Sequence, residues 1–384
     1  MQNNAICAEY CISVIRAVMQ EHPVPPMPDG LMIEEIFAFS KKHSMEALIF
    51  HGVSELDVDE TSEVYAYWQN RAQMLLTQSM VQLANRDELF AVMEEAGVDL
   101  LPVKGCWLKE AYPDIDYRQM SDLDMLIRRE DRSKVKEILL GMGYAEESGE
   151  VASYHDGYEK KPYMAIEMHL QLLASDDPHE PYYRDVWSRA QRVEGYTHLY
   201  RLSPEDEYIY YFLHLKKHLD EAGCGIRLIL DSVVFRQAYP QMDRVYLENE
   251  FDRLGISGLV GQIERLSDCW FVTGEALPQE LTKLGEEILT AGNYGTLETA
   301  FHSRIERFRE KYKHPALAIF MYWCSRFFRP MSEMKNDYPI LEKLPVLLPV
   351  FWGYRIAKKI VTKPRALLYH FKEIYKGGTK HGER

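Results

Sequence analysis

Ser121-Asp122-Leu123-Asp124-Met125-Leu126-Ile127 sets two aspartates two residues apart and follows them with an apolar run. On a strand, residues i and i+2 share a face, so both carboxylates point the same way, roughly 7 Å apart at the Cα level. Leu123 points to the other face, and Met125, Leu126 and Ile127 supply apolar packing. Two carboxylates this close repel unless a cation neutralises them. Hard divalent ions such as Mg²⁺ take carboxylate oxygens and share the rest of their shell with phosphates and water.

Working outward, Ile166-Glu167-Met168-His169 alternates in the same manner and puts Glu167 and His169 on one strand face. Glu167 is the candidate third carboxylate of a two-metal site. In such a site one ion activates an attacking oxygen and the other neutralises a triphosphate. Upstream, Val98 to Val103 is short and apolar and suits a buried strand, and Lys104-Gly105-Cys106 stands where that strand gives way to a short helix. A glycine there lets backbone approach a phosphate at a helix N-terminus, and Lys104 and Arg118 bring positive charge. Each feature has an ordinary alternative: a tight turn for Gly105, and solvation or pairing with Asp122 or Asp124 for the two cations.

The segment from 98 to about 172 therefore reads as strand–helix–strand–helix–strand, with helix over Asp131 to Leu140 and a hairpin or loop over Ala145 to Lys160. Before it, apolar spacing of three and four residues marks helices at Leu31 to Phe39 and over Tyr65 to Glu95, the latter closed by Gly97. Pro23 to Pro28 is a stiff connector. After it, Ser203-Pro204 starts a helix, and further helices fit Glu207 to His218, Ile226 to Ala238, Val245 to Asp252, Ile256 to Phe271 and His302 to Lys311. The expected fold is α+β: a small mixed β-sheet core at 98–200, flanked by an N-terminal helical region at 1–97 and a C-terminal helical domain at 201–384.

Of the 384 residues 46% are hydrophobic, ample for a buried core, and no uninterrupted apolar run approaches a membrane span. The N-terminus lacks a signal-peptide pattern. Six scattered cysteines without CxxC spacing suit reduced thiols in a cytoplasmic protein. The net charge is −14, yet residues 351–384 hold nine Lys and Arg against two acidic residues. The acidic body disfavours general nucleic-acid binding. The basic tail is read as a terminal helix packed on its own domain, with peripheral contact to an anionic membrane or a partner as the alternative.

Taken in order, Val103-Lys104-Gly105, Tyr112-Pro113, Arg118, Ser121 to Ile127, Gly143-Tyr144 and Ile166-Glu167-Met168-His169 resemble the uncharacterised nucleotidyltransferase family of the DNA polymerase β-like superfamily. The likeness runs over about residues 70 to 240, and Cys106 stands where the wider superfamily has glycine or serine after the motif glycine. The resemblance implies an NTP donor, such as ATP, and Mg²⁺ or Mn²⁺ held by Asp122, Asp124 and Glu167. It further implies nucleotide contacts at Lys104, Gly105 and Arg118, and transfer of a nucleoside monophosphate to an acceptor, with a small molecule or protein favoured. His214 and His218 share a helix face, as do Arg227 and Asp231, and this segment resembles the helical region that follows the family's core. These four, with His169, either line the cleft or form a buried polar network. Two other functions stay open: a non-catalytic nucleotide-binding protein, and a toxin-like enzyme adding nucleotides to tRNA.

Overall fold

The computed structural model describes residues 2–147, 154–175, 177–221, 223–292 and parts of 312–362. The chain forms two compact units, Met1–Gly295 and Thr296–Arg384. The fold class is α+β, as the sequence pattern predicts.

Five strands build the sheet of the first unit: β1 (Leu100–Pro102), β2 (Leu123–Ile127), β3 (Ala145–Glu146), β4 (His155–Lys160) and β5 (Met164–His169). Their spatial order is β1-β2-β5-β4-β3. β2 and β5 run parallel at the centre, while β1 with β2, β4 with β5 and β3 with β4 are antiparallel. The stretch expected as a hairpin or loop thus supplies the edge strand β3 and its inner neighbour β4.

Both faces of β2 are buried, and the alternation of its side chains sorts them. Leu123, Met125 and Ile127, with Ile166 and Met168 of β5, join one apolar core. After helices α1 (Gln2–Met19), α2 (Ile33–Lys42) and α3 (Glu46–Val53) comes α4 (Glu63–Ala96), whose Leu89, Phe90 and Met93 belong to that core with Val135 and Leu139 of the helix Arg132–Gly141. Leu126 points the other way, into a second core with Ile209, Phe212, Ile229 and Leu230. The odd positions of β2 therefore pack in the first core, while Asp124 and Leu126 face the opposite side.

Helix α4 spans 34 residues because nothing in it breaks the periodicity. Ser62 caps its start by accepting the Tyr65 amide, and Gly97 ends it in the left-handed conformation at φ 66°. Tyr65 and Trp68 near its start belong to the second core, and Leu89 to Met93 near its end belong to the first, so one helix braces both.

Downstream lie Pro204–Glu221, Ile226–Ala238, Arg244–Leu254, Ser257–Asp268 and Gln279–Ala291, all helical. The Ser203 hydroxyl accepts the Asp206 amide at 3.1 Å, the cap expected from Ser203-Pro204. These helices share their apolar core with Cys11, Val14 and Ile15 of the first helix and with Leu48 and Ile49 of Glu46–Val53, so chain segments on either side of the sheet meet in one interior.

In the second unit, Ile340–Lys343 and Leu348–Thr362 are helical. Tyr338 and Phe351 pack with ring centroids 4.5 Å apart, and Phe328 meets Trp352 edge-on at 5.2 Å. The expected helix at His302 to Lys311 and the tail beyond 362 lie outside the described residues. Among the described residues no helix is long and apolar enough to cross a membrane.

Candidate active site

The parallel pairing of β2 with β5 sets Asp124 directly beside Glu167, and Leu126 beside His169. Neighbours in register share a face, so Asp124, Glu167 and His169 open together on the side away from the first core. Asp122 stands one residue ahead of β2, where Ser121 donates to it at 2.8 Å. On the far side of β5, Gly157 is the register partner of Glu167, and the Glu147 side chain fills the space a Cβ at 157 would take.

Asp124 is the hub. It is 6% exposed, and its Oδ1 accepts from Lys104 Nζ at 2.5 Å and lies 2.9 Å from His169 Nε2. Burial opposes its charge, but the Lys104 ammonium and the His169 contact outweigh burial and hold its carboxyl well below the usual range. The same pairing raises Lys104 against its own desolvation. Asp122 is different: burial, then the charges of Asp124 and Glu167, push its carboxyl up, and Lys104 only partly offsets them. Glu167 is lowered, chiefly by the His169 hydrogen bond. Three carboxylates thus crowd into one site, with Lys104 bonded to Asp124 and His169 touching both Asp124 and Glu167. An all-oxygen donor set of this charge fits a hard divalent cation.

Lys104 reaches Asp124 because of its backbone. It takes φ 56° and ψ −122°, a conformation that costs a residue with a side chain on the order of 1–3 kcal/mol. The turn is pinned from both sides. Val103 donates its amide to the Asp124 carbonyl at 3.0 Å, and Arg86 of α4 donates to the Cys106 carbonyl at 2.7 Å.

Gly105 has a packing reason as well as a conformational one. A Cβ there would stand 2.2 Å from Arg118 Nη1 and 2.6 Å from the Met120 sulfur. Arg118 itself is turned inward. Its Nε and Nη2 donate to the two carboxylate oxygens of Asp231 at 2.8 and 2.9 Å, and Tyr112 Oη donates to Asp231 Oδ1 at 2.6 Å. Both partners are almost fully buried.

One cavity of about 300 Å³ lies between the sheet and the helices 204–221 and 226–238. Lys104, Gly105, Arg118, Asp122, Asp124, Glu167 and His169 form its sheet side, and His214, His218, Arg227 and Asp231 its helical side. His214 and His218 touch through their Nε2 atoms at 2.9 Å. Burial and the Lys104 charge push both down, His218 to about 4, so this pair stays neutral.

The cavity also takes in His155, Tyr154, Tyr210 and Lys217, which sequence reasoning missed. His155 faces His169 across the β4–β5 ladder, and its Nε2 lies 3.6 Å from Glu167 Oε1. No local pattern marks it, because only the register of β4 on β5 brings it to the site. His155, Glu167 and His169 offer ligand atoms that all lie within 4.8 Å of one another.

No curated protein and no solved structure matches the chain. A family model does, and the residues it covers contain the whole sheet, the Lys104 turn and the helices that close the cavity. The chain belongs to the uncharacterised nucleotidyltransferase family, whose model matches residues 29–272.

Proposed function

We propose that this chain is a metal-dependent enzyme that moves a nucleoside monophosphate from an NTP to a small-molecule or protein acceptor. Family membership supports nucleotidyl transfer in general and implies an NTP donor. The observation that carries the finer reading is the register of Asp124 against Glu167 on parallel strands, with Asp122 one residue ahead of β2 and all three opening on the cavity.

In this reading Asp122, Asp124 and Glu167 hold Mg²⁺ or Mn²⁺, which supplies charge neutralisation at the triphosphate and at the attacking oxygen. The residues of the chain do the rest. Lys104 swings from Asp124 toward phosphate oxygens. Glu167, half-buried beside Asp124, takes the proton of the acceptor as its oxygen or nitrogen bonds to the α-phosphorus and pyrophosphate leaves. Arg118 acts as a positioning residue: fixed on Asp231, it fills the space beside Gly105 and supports the Lys104 turn. Residues 98–200 are the catalytic core.

The test is transfer itself. Purified protein is incubated with each labelled NTP, Mg²⁺ or Mn²⁺, and cell extract depleted of nucleic acid, and labelled products are resolved. Asp122→Asn with Asp124→Asn should abolish labelling while the protein still melts cooperatively. Absence of both transfer and metal-dependent NTP binding in the wild-type chain would refute the reading. Labelling of added bulk RNA instead would move the acceptor to tRNA-like substrates.

A further inference from the structure

We infer that His155, Glu167 and His169 form a mixed nitrogen–oxygen site for a first-row transition-metal dication, which Mg²⁺ does not fill. The inference deepens the proposed function and rests on it for the role of Glu167. It adds a ligand, His155, and an ion class.

Three observations carry it. First, the donors converge. His155 Nε2 is 3.6 Å from Glu167 Oε1, and His169 Nε2 is 3.3 Å from Glu167 Oε2. Ligands bound at about 2.1 Å around one ion sit roughly 3 to 4.2 Å apart, so the set closes on a first-row cation with small side-chain shifts. Second, His169 Nε2 carries at most one hydrogen, yet it faces two carboxylates, Asp124 at 2.9 Å and Glu167 at 3.3 Å. One hydrogen bond cannot serve both acceptors well, whereas two oxygens and a nitrogen at these separations are ordinary neighbours around a cation. Third, the ladder pairs two of the ligands. His155 stands opposite His169 in the β4–β5 register, while the place a side chain would take at Gly157, opposite Glu167, is filled by the Glu147 carboxylate.

The chemistry of the donors selects the ion. Mg²⁺ demands an octahedron of oxygens and gives up water reluctantly, whereas imidazole suits first-row transition ions, and two histidines with one carboxylate is one of their standing ligand sets. Asp122 and Asp124 remain the all-oxygen side of the same cavity.

The probe is Mn²⁺ alone, without nucleotide, added to the full-length chain and followed by electron paramagnetic resonance. One tightly bound Mn²⁺ is expected, retained under a hundredfold excess of Mg²⁺. Pulsed spectra of the wild-type complex should show coupling to imidazole nitrogen, a readout that needs no variant. His155→Ala and His169→Ala should each weaken binding on the order of 100-fold, while Asp122→Asn should leave the nitrogen-coupled ion in place. Loss of Mn²⁺ to equal Mg²⁺, or a wild-type spectrum without nitrogen coupling, would overturn the inference whether or not the chain transfers nucleotides. Failure of transfer with this Mn²⁺ site intact would instead count against the enzymatic reading alone.

Discussion

Asp231→Asn keeps the shape of the side chain and removes its charge, leaving the Arg118 guanidinium buried without a counter-ion. Arg118 is 5% exposed and Asp231 1%, and two hydrogen bonds at 2.8 and 2.9 Å join them, so solvent cannot replace the lost carboxylate. Breaking such a pair from one side costs about 3–5 kcal/mol. Asn retains one acceptor oxygen for Tyr112 or Arg118 Nε, which puts the loss near ~3 kcal/mol by the same principle. Arg118→Met strands the carboxylate instead and costs a similar amount. Removing both, as Arg118→Met with Asp231→Leu, leaves no charge behind. Its chief residual cost is the Tyr112 hydroxyl deprived of its acceptor, about 1–3 kcal/mol. The double variant should therefore fall short of the summed singles by at least ~2 kcal/mol, a coupling that contacting residues can show. Urea unfolding of the full chain at 25 °C, followed by tryptophan fluorescence, measures wild type, Arg118→Met, Asp231→Leu and the double as the four corners of the cycle, with Asp231→Asn beside them, and each single variant should also melt roughly 6 °C lower. The structure further predicts that Arg118→Met and Asp231→Asn weaken NTP binding in parallel, since both loosen the same brace. Singles costing under ~1 kcal/mol, or an additive double, would refute the buried pair. Loss of NTP binding in Arg118→Met with none in Asp231→Asn would show that Arg118 meets phosphate directly.

Gly105→Ala places a methyl 2.2 Å from Arg118 Nη1, whose other nitrogens are held by Asp231, so the clash cannot be relieved by a flexible side-chain end; a loss of about 1–3 kcal/mol is expected in the same urea assay. His43, fully buried, accepts the Ile226 amide through Nδ1, and burial together with Lys42 pushes it down to about 4. The sign follows directly: the unfolded chain binds this proton from pH 6.5 downward and the folded chain only near 4, so the contribution to stability is full above 6.5 and falls between 6.5 and 4 by about 1.4 kcal/mol per pH unit. His43→Gln should flatten that part of the stability–pH curve, and an unchanged slope would contradict a buried neutral imidazole.

What the sequence made legible is what repeats locally. Asp122-Leu123-Asp124 and Ile166-Glu167-Met168-His169 carry their strand faces in their own alternation, and α4 carries its length in an unbroken period closed by Gly97. Helix boundaries around Ile226 to Ala238 follow for the same reason. Residues whose role depends on register or on a distant partner were not legible. His155 sits in a stretch without clear periodicity and gains its place only from pairing with His169. For Arg118 the sequence offers a phosphate contact, solvation or pairing with Asp122 or Asp124, and its actual partner Asp231 lies 113 residues away. Lys104 reads as a phosphate ligand with pairing to Asp122 or Asp124 as the alternative, and the fold pairs it with Asp124.

These long-range contacts change what the motif is. Lys104-Gly105, Arg118 and Asp122-Leu123-Asp124 look like a row of separate ligands. In three dimensions they are one construction. Asp231 on the helix 226–238 holds Arg118, Arg118 fills the space that only a glycine leaves at 105, and the turn before that glycine aims Lys104 at Asp124. The helical segment after the sheet therefore helps set the charge state of the carboxylate at its centre. Asp124 keeps its negative charge, despite burial, because a lysine in a strained turn is braced from a helix more than a hundred residues downstream. A cation entering the cavity would compete with that lysine for Asp124, and Lys104 would then be released toward the anionic donor at the moment the site becomes loaded.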